Sequence, residues 1–202
     1  NISADTNATQ DEKQQAIKQV DQNVQTALES INNGVDNGDV DDALTQGKAA
    51  IDAIQVDATV KPKANQAIEV KAEDTKESID QSDQLTAEEK TEALNKINQL
   101  LNQAKVNIDQ AQSNKDVDNA KTRSIQDIEQ IQPHPQTKAT GRHRLNEKAN
   151  QQQSTIATHP NSTIEERQEA SAKLQEVLKK AIAKIDKGQT NDDVEKTVVN
   201  GI

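Results

Sequence analysis

Apolar residues recur along this chain three and four positions apart, in runs long enough for helices. One run is Ala93, Ile97, Leu101, Ala104 and Ile108. On a 3.6-residue helix these share one face, and the polar residues between them take the others, so the spacing predicts an amphipathic helix. Just ahead of it stands Thr86-Ala87-Glu88-Glu89. A threonine there can accept from a free N–H of the first turn, while the glutamate three residues on reaches back to the threonine N–H, which is the capping box. The same start signal stands at Thr9-Gln10-Asp11-Glu12 and at Thr163-Ile164-Glu165-Glu166, 77 residues apart each time. Self-similarity at a fixed period marks a tandem-repeat protein.

Three helices fit within one period. Helix B of the first copy follows Thr9 with the stripe Ala16, Val20, Val24, Ala27 and Ile31, and Asn32-Asn33-Gly34 ends it. Gly34 suits the left-handed stop position of a helix. A second capping pattern, Asp36-Asn37-Gly38-Asp39, recurs as Ser113 to Asp116 and Thr190 to Asp193. It opens helix C, with Val40, Ala43, Gly47, Ile51 and Ile54, and in the second copy Val117, Ala120, Ser124, Ile128 and Ile131. Gly47, Ser124 and Gly201 align. Glycine inside a helix costs up to about 1 kcal/mol against alanine, so a small residue at one phase in three copies predicts close helix approach.

Helix A carries Ile68, Ala72, Thr75 and Ile79 in one copy, and Leu145, Ala149, Gln152 and Ile156 in the next. Pro62 fits its first turn, where a missing N–H does no harm. The polar Thr75 and Gln152 make helix A the weakest held of the three. Asn1 to Asp5 align with Ser78 to Ser82 and read as the tail of another helix A. Gln132-Pro133-His134-Pro135 forbids a continuous helix and favours a stiff extended link, whereas Val56-Asp57-Ala58-Thr59 has no proline.

The boundary is expected at that link. Residues 1–57 then form a partial repeat, 58–134 a complete three-helix repeat, and 135–202 a repeat truncated in helix C. The helices should run about 24, 26 and 18 residues. With an odd number of antiparallel helices, the chain enters a bundle at one end and leaves at the other. The expected fold is all-α: tandem three-helix bundles arranged end to end as an elongated rod, each adding roughly 35–45 Å. Grouping as A-B-C or as B-C-A is left open by the spacing. Because the sequence starts and stops inside the pattern, it is expected to be part of a longer protein.

Composition narrows the function. The chain has no Cys, Met, Trp, Tyr or Phe, and 39 of its 202 residues are Leu, Ile or Val. That poverty alone resembles disorder, but helical placement kept through three copies argues for folding. A core of Ala, Val, Leu and Ile is thin, and slender bundles rarely hold a roomy pocket. The net charge of −10 offers no basic stripe for nucleic acid and no attraction to anionic lipid. No apolar run approaches a membrane span and no signal peptide is present, so no membrane insertion is expected. Absence of cysteine fits an exported Gram-positive protein.

Candidate chemistry is sparse, and no catalytic, cofactor-binding or metal-binding residue is assigned. His143 and His159 lie near opposite ends of one expected helix, about 24 Å apart, too far to share zinc. The cluster Asp36, Asp39, Asp41 and Asp42 lacks EF-hand spacing, and capping accounts for Asp36 and Asp39. Gly141-Arg142-His143-Arg144 is the one compact basic patch; it reads as a solvated surface paired with nearby Glu147, with contact to an anionic polymer such as a teichoic acid as the other reading. No serine stands in a glycine-flanked elbow. Glu88-Glu89 and Glu165-Glu166 sit in first helical turns, where the helix dipole favours acids.

Thr-x-Glu-Glu-Lys at Thr86 to Lys90, Ala-Lys-x-x-x-Ile at Ala120 to Ile125 and Ile-x-x-Ile-Gln-Pro at Ile128 to Pro133 together resemble a known repeat. It is the tandem helical repeat, long labelled a domain of unknown function, of staphylococcal cell-wall-anchored surface proteins of the FmtB, SasC and Ebh type. The resemblance covers essentially the whole chain and departs from the pattern at Thr140 to His143 and at Val56-Asp57. It implies export, anchoring to peptidoglycan through a distant sorting signal, and a stalk in an adhesin that supports adhesion, aggregation or biofilm formation. It supplies no catalytic residues. A spacer that projects a binding domain from the cell wall is therefore one function class. The alternative is a three-helix binding module for a host plasma or matrix protein, but such modules expose aromatic or large apolar hot spots, and this chain has no aromatic residue. No enzyme activity is expected. The partner, if any, is a host protein or a cell-wall polymer, and the fragment itself is expected to be a monomer.

Overall fold

The structure, a computed structural model, describes residues 2–201. Asn1 and Ile202, the outermost residues of the first and third expected repeats, lie outside the described residues. Eight α-helices follow one another: α1 (Gln10–Asn32), α2 (Asn37–Asp52), α3 (Val60–Asp80), α4 (Ala87–Gln110), α5 (Asn114–Glu129), α6 (Gln136–Ala157), α7 (Ile164–Lys187) and α8 (Asn191–Asn200). No strand occurs among the described residues. The protein is an all-α tandem repeat. In repeat order α3 and α6 are A helices, α1, α4 and α7 are B helices, and α2, α5 and α8 are C helices.

Capping decides where the helices begin. Thr9 and Thr163 close full capping boxes with Glu12 and Glu166, and Asp36 and Thr190 close them with Asp39 and Asp193. Thr86 with Glu89 and Ser113 with Asp116 make the same reciprocal bonds. The A helices have no such box. Pro135, before α6, makes no side-chain cap.

Several local expectations change. The tail expected over Asn1 to Asp5 is a 3-10 turn at Ile2–Ala4. The helices are shorter than expected, 21 and 22 residues for A, 23 or 24 for B, 16 for α2 and α5. Gly34 is not a left-handed stop, because no described residue has positive φ. A Cβ on Gly34 would lie 2.9 Å from Val40 Cγ2, so closeness rather than conformational freedom selects glycine there. Gln152 is exposed; Gln153, one residue on, is half-buried and accepts from the Ser171 hydroxyl at 2.5 Å.

The described chain divides into two compact units, Asn1–Ala72 with Leu100–Ile128, and Glu73–Gln99 with Glu129–Ile202. In the first, Ala64 and Ile68 of α3, Ala104 and Ile108 of α4 and Val117 of α5 form one apolar cluster. In the second, Leu145 of α6, Ala181 and Ile185 of α7 and Val194 and Val198 of α8 form the corresponding one. Each cluster joins an A helix to the B and C helices that follow it. The small-residue phase has its reason in the second-to-third helix contact. A Cβ on Gly47 would stand 2.5 Å from that of Ala27, and one on Gly201 would stand 3.1 Å from that of Ala181. Ser124, buried between them in sequence, turns its hydroxyl back to the Ala120 carbonyl at 2.8 Å.

Ile97 is fully buried, whereas Val106 is 46% exposed. An aspartate at Ile97 would bring an unpaired charge into an apolar layer. Ile97→Asp is expected to cost about 3 kcal/mol or more, and Val106→Asp less than about 0.5 kcal/mol. Denaturant melts followed by circular dichroism measure both, and equal midpoints would contradict the packing described.

Candidate functional site: the junction between repeats

A helix start leaves four N–H groups without helical partners and carries about half a positive charge. At the first junction three such starts converge, those of α1, α3 and α5. The Thr-x-acid-Glu-Lys motif supplies what they lack, one residue at a time. The Thr9 hydroxyl accepts from the Glu12 N–H at 3.2 Å and donates to Asn114 Oδ1, at the start of α5, at 2.6 Å. The Gln10 N–H donates to the Gln112 carbonyl at 2.8 Å. Asp11 Oδ2 accepts from the Asn114 N–H at 2.7 Å. Glu12 divides its carboxylate: Oε2 accepts from the Thr9 N–H at 2.9 Å, and Oε1 accepts from the N–H groups of Thr59 and Val60, at 2.8 and 2.9 Å, where α3 begins. Lys13 turns back to the Ser3 carbonyl.

The second junction repeats these bonds. Thr86 donates to Asn191 Oδ1 at 2.6 Å, the Ala87 N–H to the Gln189 carbonyl at 2.8 Å, and the Asn191 N–H to Glu88 Oε2 at 3.0 Å. Glu89 accepts from the Thr86 N–H through Oε2 and from the Thr137 N–H, in the first turn of α6, through Oε1. Lys90 donates to the Asp80 carbonyl. The uncapped A helices thus receive their cap from the B helix of the preceding repeat. The dipole argument for Glu88-Glu89 was sound but incomplete, because both carboxylates also bond across the repeat boundary.

One buried lysine completes each junction, Lys61 the first and Lys138 the second, and sequence reasoning passed over both. Lys61 Nζ donates to the carbonyls of Asp109 at 2.6 Å and Thr6 at 3.4 Å; Lys138 Nζ donates to those of Asp186 at 2.9 Å and Asp83 at 2.6 Å. They are 6% and 3% exposed. Each ammonium sits where a B helix ends, against orphan carbonyls and the negative end of the dipole. Their one visible signal was recurrence at the 77-residue period. The asparagines Asn114 and Asn191 carried the same signal.

Burial pushes the Glu12 carboxyl up, but the N–H groups of Thr9, Val60 and Thr59 and the Thr9 hydroxyl outweigh it, and the group is held below its ordinary value. Burial likewise opposes ionisation of Glu89, and the N–H groups and hydroxyls of Thr86 and Thr137 overcome it. Thr9 and Thr86 are wholly buried, whereas Thr163, whose box is also closed, is exposed. The junction accounts for that difference: the Thr9 and Thr86 hydroxyls also donate to Asn114 and Asn191, whereas among the described residues the Thr163 hydroxyl bonds the Glu166 N–H.

The other sequence candidates do not assemble into a site. His143 lies 3.4 Å from Glu147 on the surface, His134 is in the proline link, and His159 is exposed between α6 and α7. The basic patch is paired, but chiefly with other helices rather than Glu147. Arg142 bonds Asp186 and Gln84, and Arg144 makes a two-pronged bond to Glu195. Asp36 and Asp39 cap α2. Among the described residues no three His, Cys, Asp or Glu side chains are grouped to hold a metal, and no helix is long and apolar enough to cross a membrane.

Residues 1–59, 60–136 and 137–202 each match the family described as Domain of Unknown Function (DUF1542). The chain is 25% identical over 201 residues, its whole length, to the extracellular matrix-binding protein ebh of Staphylococcus aureus strain MW2. It is 26% identical over 185 residues, 91% of its length, to ebh of strain MRSA252, and 25% identical over 201 residues to EbhA of strain Mu3. The chain spans 2–3% of the length of these curated relatives. No solved structure matches it.

Because Glu12 and Glu89 are more acidic folded than unfolded, they stabilise the junction fully above the unfolded carboxylate value, about 4.3, and lose that contribution as pH falls through it toward the lower folded value. Glu89→Gln is expected to cost about 1–3 kcal/mol at neutral pH, since the amide leaves one N–H poorly satisfied. The same variant should lose less stability than the parent between about pH 5 and 3. Melts at a series of pH values measure both effects, and parallel pH profiles would show that Glu89 is not the titrating group.

Proposed function

The chain belongs to the DUF1542 family, and from that premise we propose that it is a spacer segment of a bacterial surface adhesin. In this reading it lies outside a Gram-positive cell wall and carries a binding region away from it. One observation supports the reading above the others. Thr9 and Asp11, and one period on Thr86 and Glu88, join one repeat to the next through bonds made twice over with Asn114 and Asn191. Repeat boundaries at residues 57/58 and 134/135 fit this, since each junction then lies where one bundle hands over to another. A 24-residue B helix is about 36 Å long, so each added repeat would add reach on that scale.

A second reading has a specific observation behind it, the similarity to relatives that are named extracellular matrix-binding proteins. On that reading this segment would itself bind a host matrix or plasma protein.

Two measurements separate the readings. For a spacer, small-angle scattering should give a monomer whose maximum dimension falls by about 35 Å when residues 60–136 are deleted. A radius of gyration near 17 Å, that of a globule of this size, would overturn the reading. Plasma and matrix proteins presented to the intact chain should show no saturable binding. Sub-micromolar binding that a surface substitution abolishes without unfolding would put the binding module in its place.

A further inference from the structure

Packing sets the glycine at Gly34, since a Cβ there would meet Val40 Cγ2 at 2.9 Å and Asp39 Cβ at 3.3 Å. The residue ahead of it is Asn33, the C-cap of α1, with φ −89° and ψ −4°, and it is exposed. An asparagine before a glycine has a nucleophile at hand. The next backbone nitrogen can reach its side-chain carbonyl carbon, and no Cβ shields that nitrogen. The later repeats keep a small residue here without this chemistry, as Gln110-Ala111 and Lys187-Gly188. Glutamine would have to close a larger, slower-forming ring, and lysine has no side-chain carbonyl. Gln110 and Lys187 are exposed just as Asn33 is, although an A helix packs on each of those repeats. Exposure is therefore a property of the B–C turn itself.

We propose that Asn33-Gly34 is a site of spontaneous modification, at which the turn between α1 and α2 converts itself to isoaspartate. The Gly34 nitrogen bonds to Asn33 Cγ, and the Cγ–Nδ2 bond breaks. Ammonia leaves, taking up the Gly34 amide proton by way of water, and a succinimide remains. Water then adds to either ring carbonyl. Opening at one gives an ordinary aspartyl peptide, and opening at the other carries the backbone through the side chain. For the ring to close, the Asn33 peptide must turn. That costs one long bond, from the Gly34 N–H to the Ile31 carbonyl at 3.2 Å, at a helix end of the kind that opens locally. Asn37-Gly38 lies close by but inside the first turn of α2. Turning its peptide would undo a capping box and the bonds that Asp36 accepts from the N–H groups of Asp39 at 3.0 Å and Val40 at 3.3 Å. The product loosens the turn in two ways. A carboxylate appears at the carbonyl end of α1, where the dipole disfavours it, in the same short turn as Asp36 and Asp39. Isoaspartate also lengthens the backbone just where Gly34 packs against Val40. The α1–α2 pair thus weakens with time since synthesis, whether or not the chain is a spacer.

The test incubates the intact chain in heavy-oxygen water at mildly alkaline pH, folded and in denaturant, and follows both asparagines by peptide mass spectrometry. In denaturant Asn33 and Asn37 should convert at similar rates. On folding, Asn37 should slow at least about tenfold and Asn33 by less than about threefold. Converted Asn33 should carry one heavy oxygen, and fragmentation should show isoaspartate there. Asn33→Gln places in the first repeat the residue that the second repeat has at Gln110. Aged alongside the parent, this variant should keep the amide exchange of fresh chain in α1 and α2, while the parent exchanges faster there. Equal slowing of the two asparagines on folding, conversion of Asn33 without isoaspartate, or aged parent and variant with the same exchange in α1 and α2 would each overturn the proposal.

Discussion

Three helix starts gathered in one place repel one another, and the structure rests on how that repulsion is neutralised. A single glutamate carboxylate does most of it. One oxygen closes the capping box of its own helix, and the other accepts from the first N–H groups of the helix that opens the next repeat. A neighbouring acid takes the backbone of the third start. The arrangement satisfies donors that would otherwise be buried unpaired, at a cost of about 1–3 kcal/mol each. It also fixes direction, because only helix starts can occupy the positions around the carboxylate, and only a helix end can occupy the position of the buried lysine.

This polar joint compensates for a meagre interior. The chain has no aromatic residue to fill space, so its helices gain contact by coming close. Alanine meets glycine where the B and C helices approach, at Ala27 with Gly47 and Ala181 with Gly201. Small side chains bury little area per turn. A layer this thin tolerates few errors of register, and the directional bonds of the junction set the register that bulky side chains set elsewhere. Repetition then makes one solution serve every boundary, as expected of arrays in which each repeat contacts only its neighbours.

Much of the fold was legible before any coordinates. Stripe spacing located the helices, and capping boxes placed their starts to the residue, because both signals act within a few residues of chain. Two local readings failed for a shared reason. Gly34 and Gln152 were assigned from sequence position alone, whereas Val40 packs against the first and the second is turned outward in favour of Gln153. The choice depended on a neighbour distant in sequence.

The junction was half legible. Thr86, Glu88 and Glu89 were recognised as a helix start, since the capping partner lies three residues away. Their other partners, Asn191 and Thr137, lie 103–105 and 48 residues along the chain, and no local pattern points to them. Lys61 and Lys138 carried no local mark, because a sequence shows a charge but not the carbonyls that surround it. The sequence by itself determined helix content, helix starts and the period, which are short-range properties of backbone and pattern. Only the tertiary structure decided which helix ends meet, and so which recurring polar residues are solvated and which are buried as the joint between repeats.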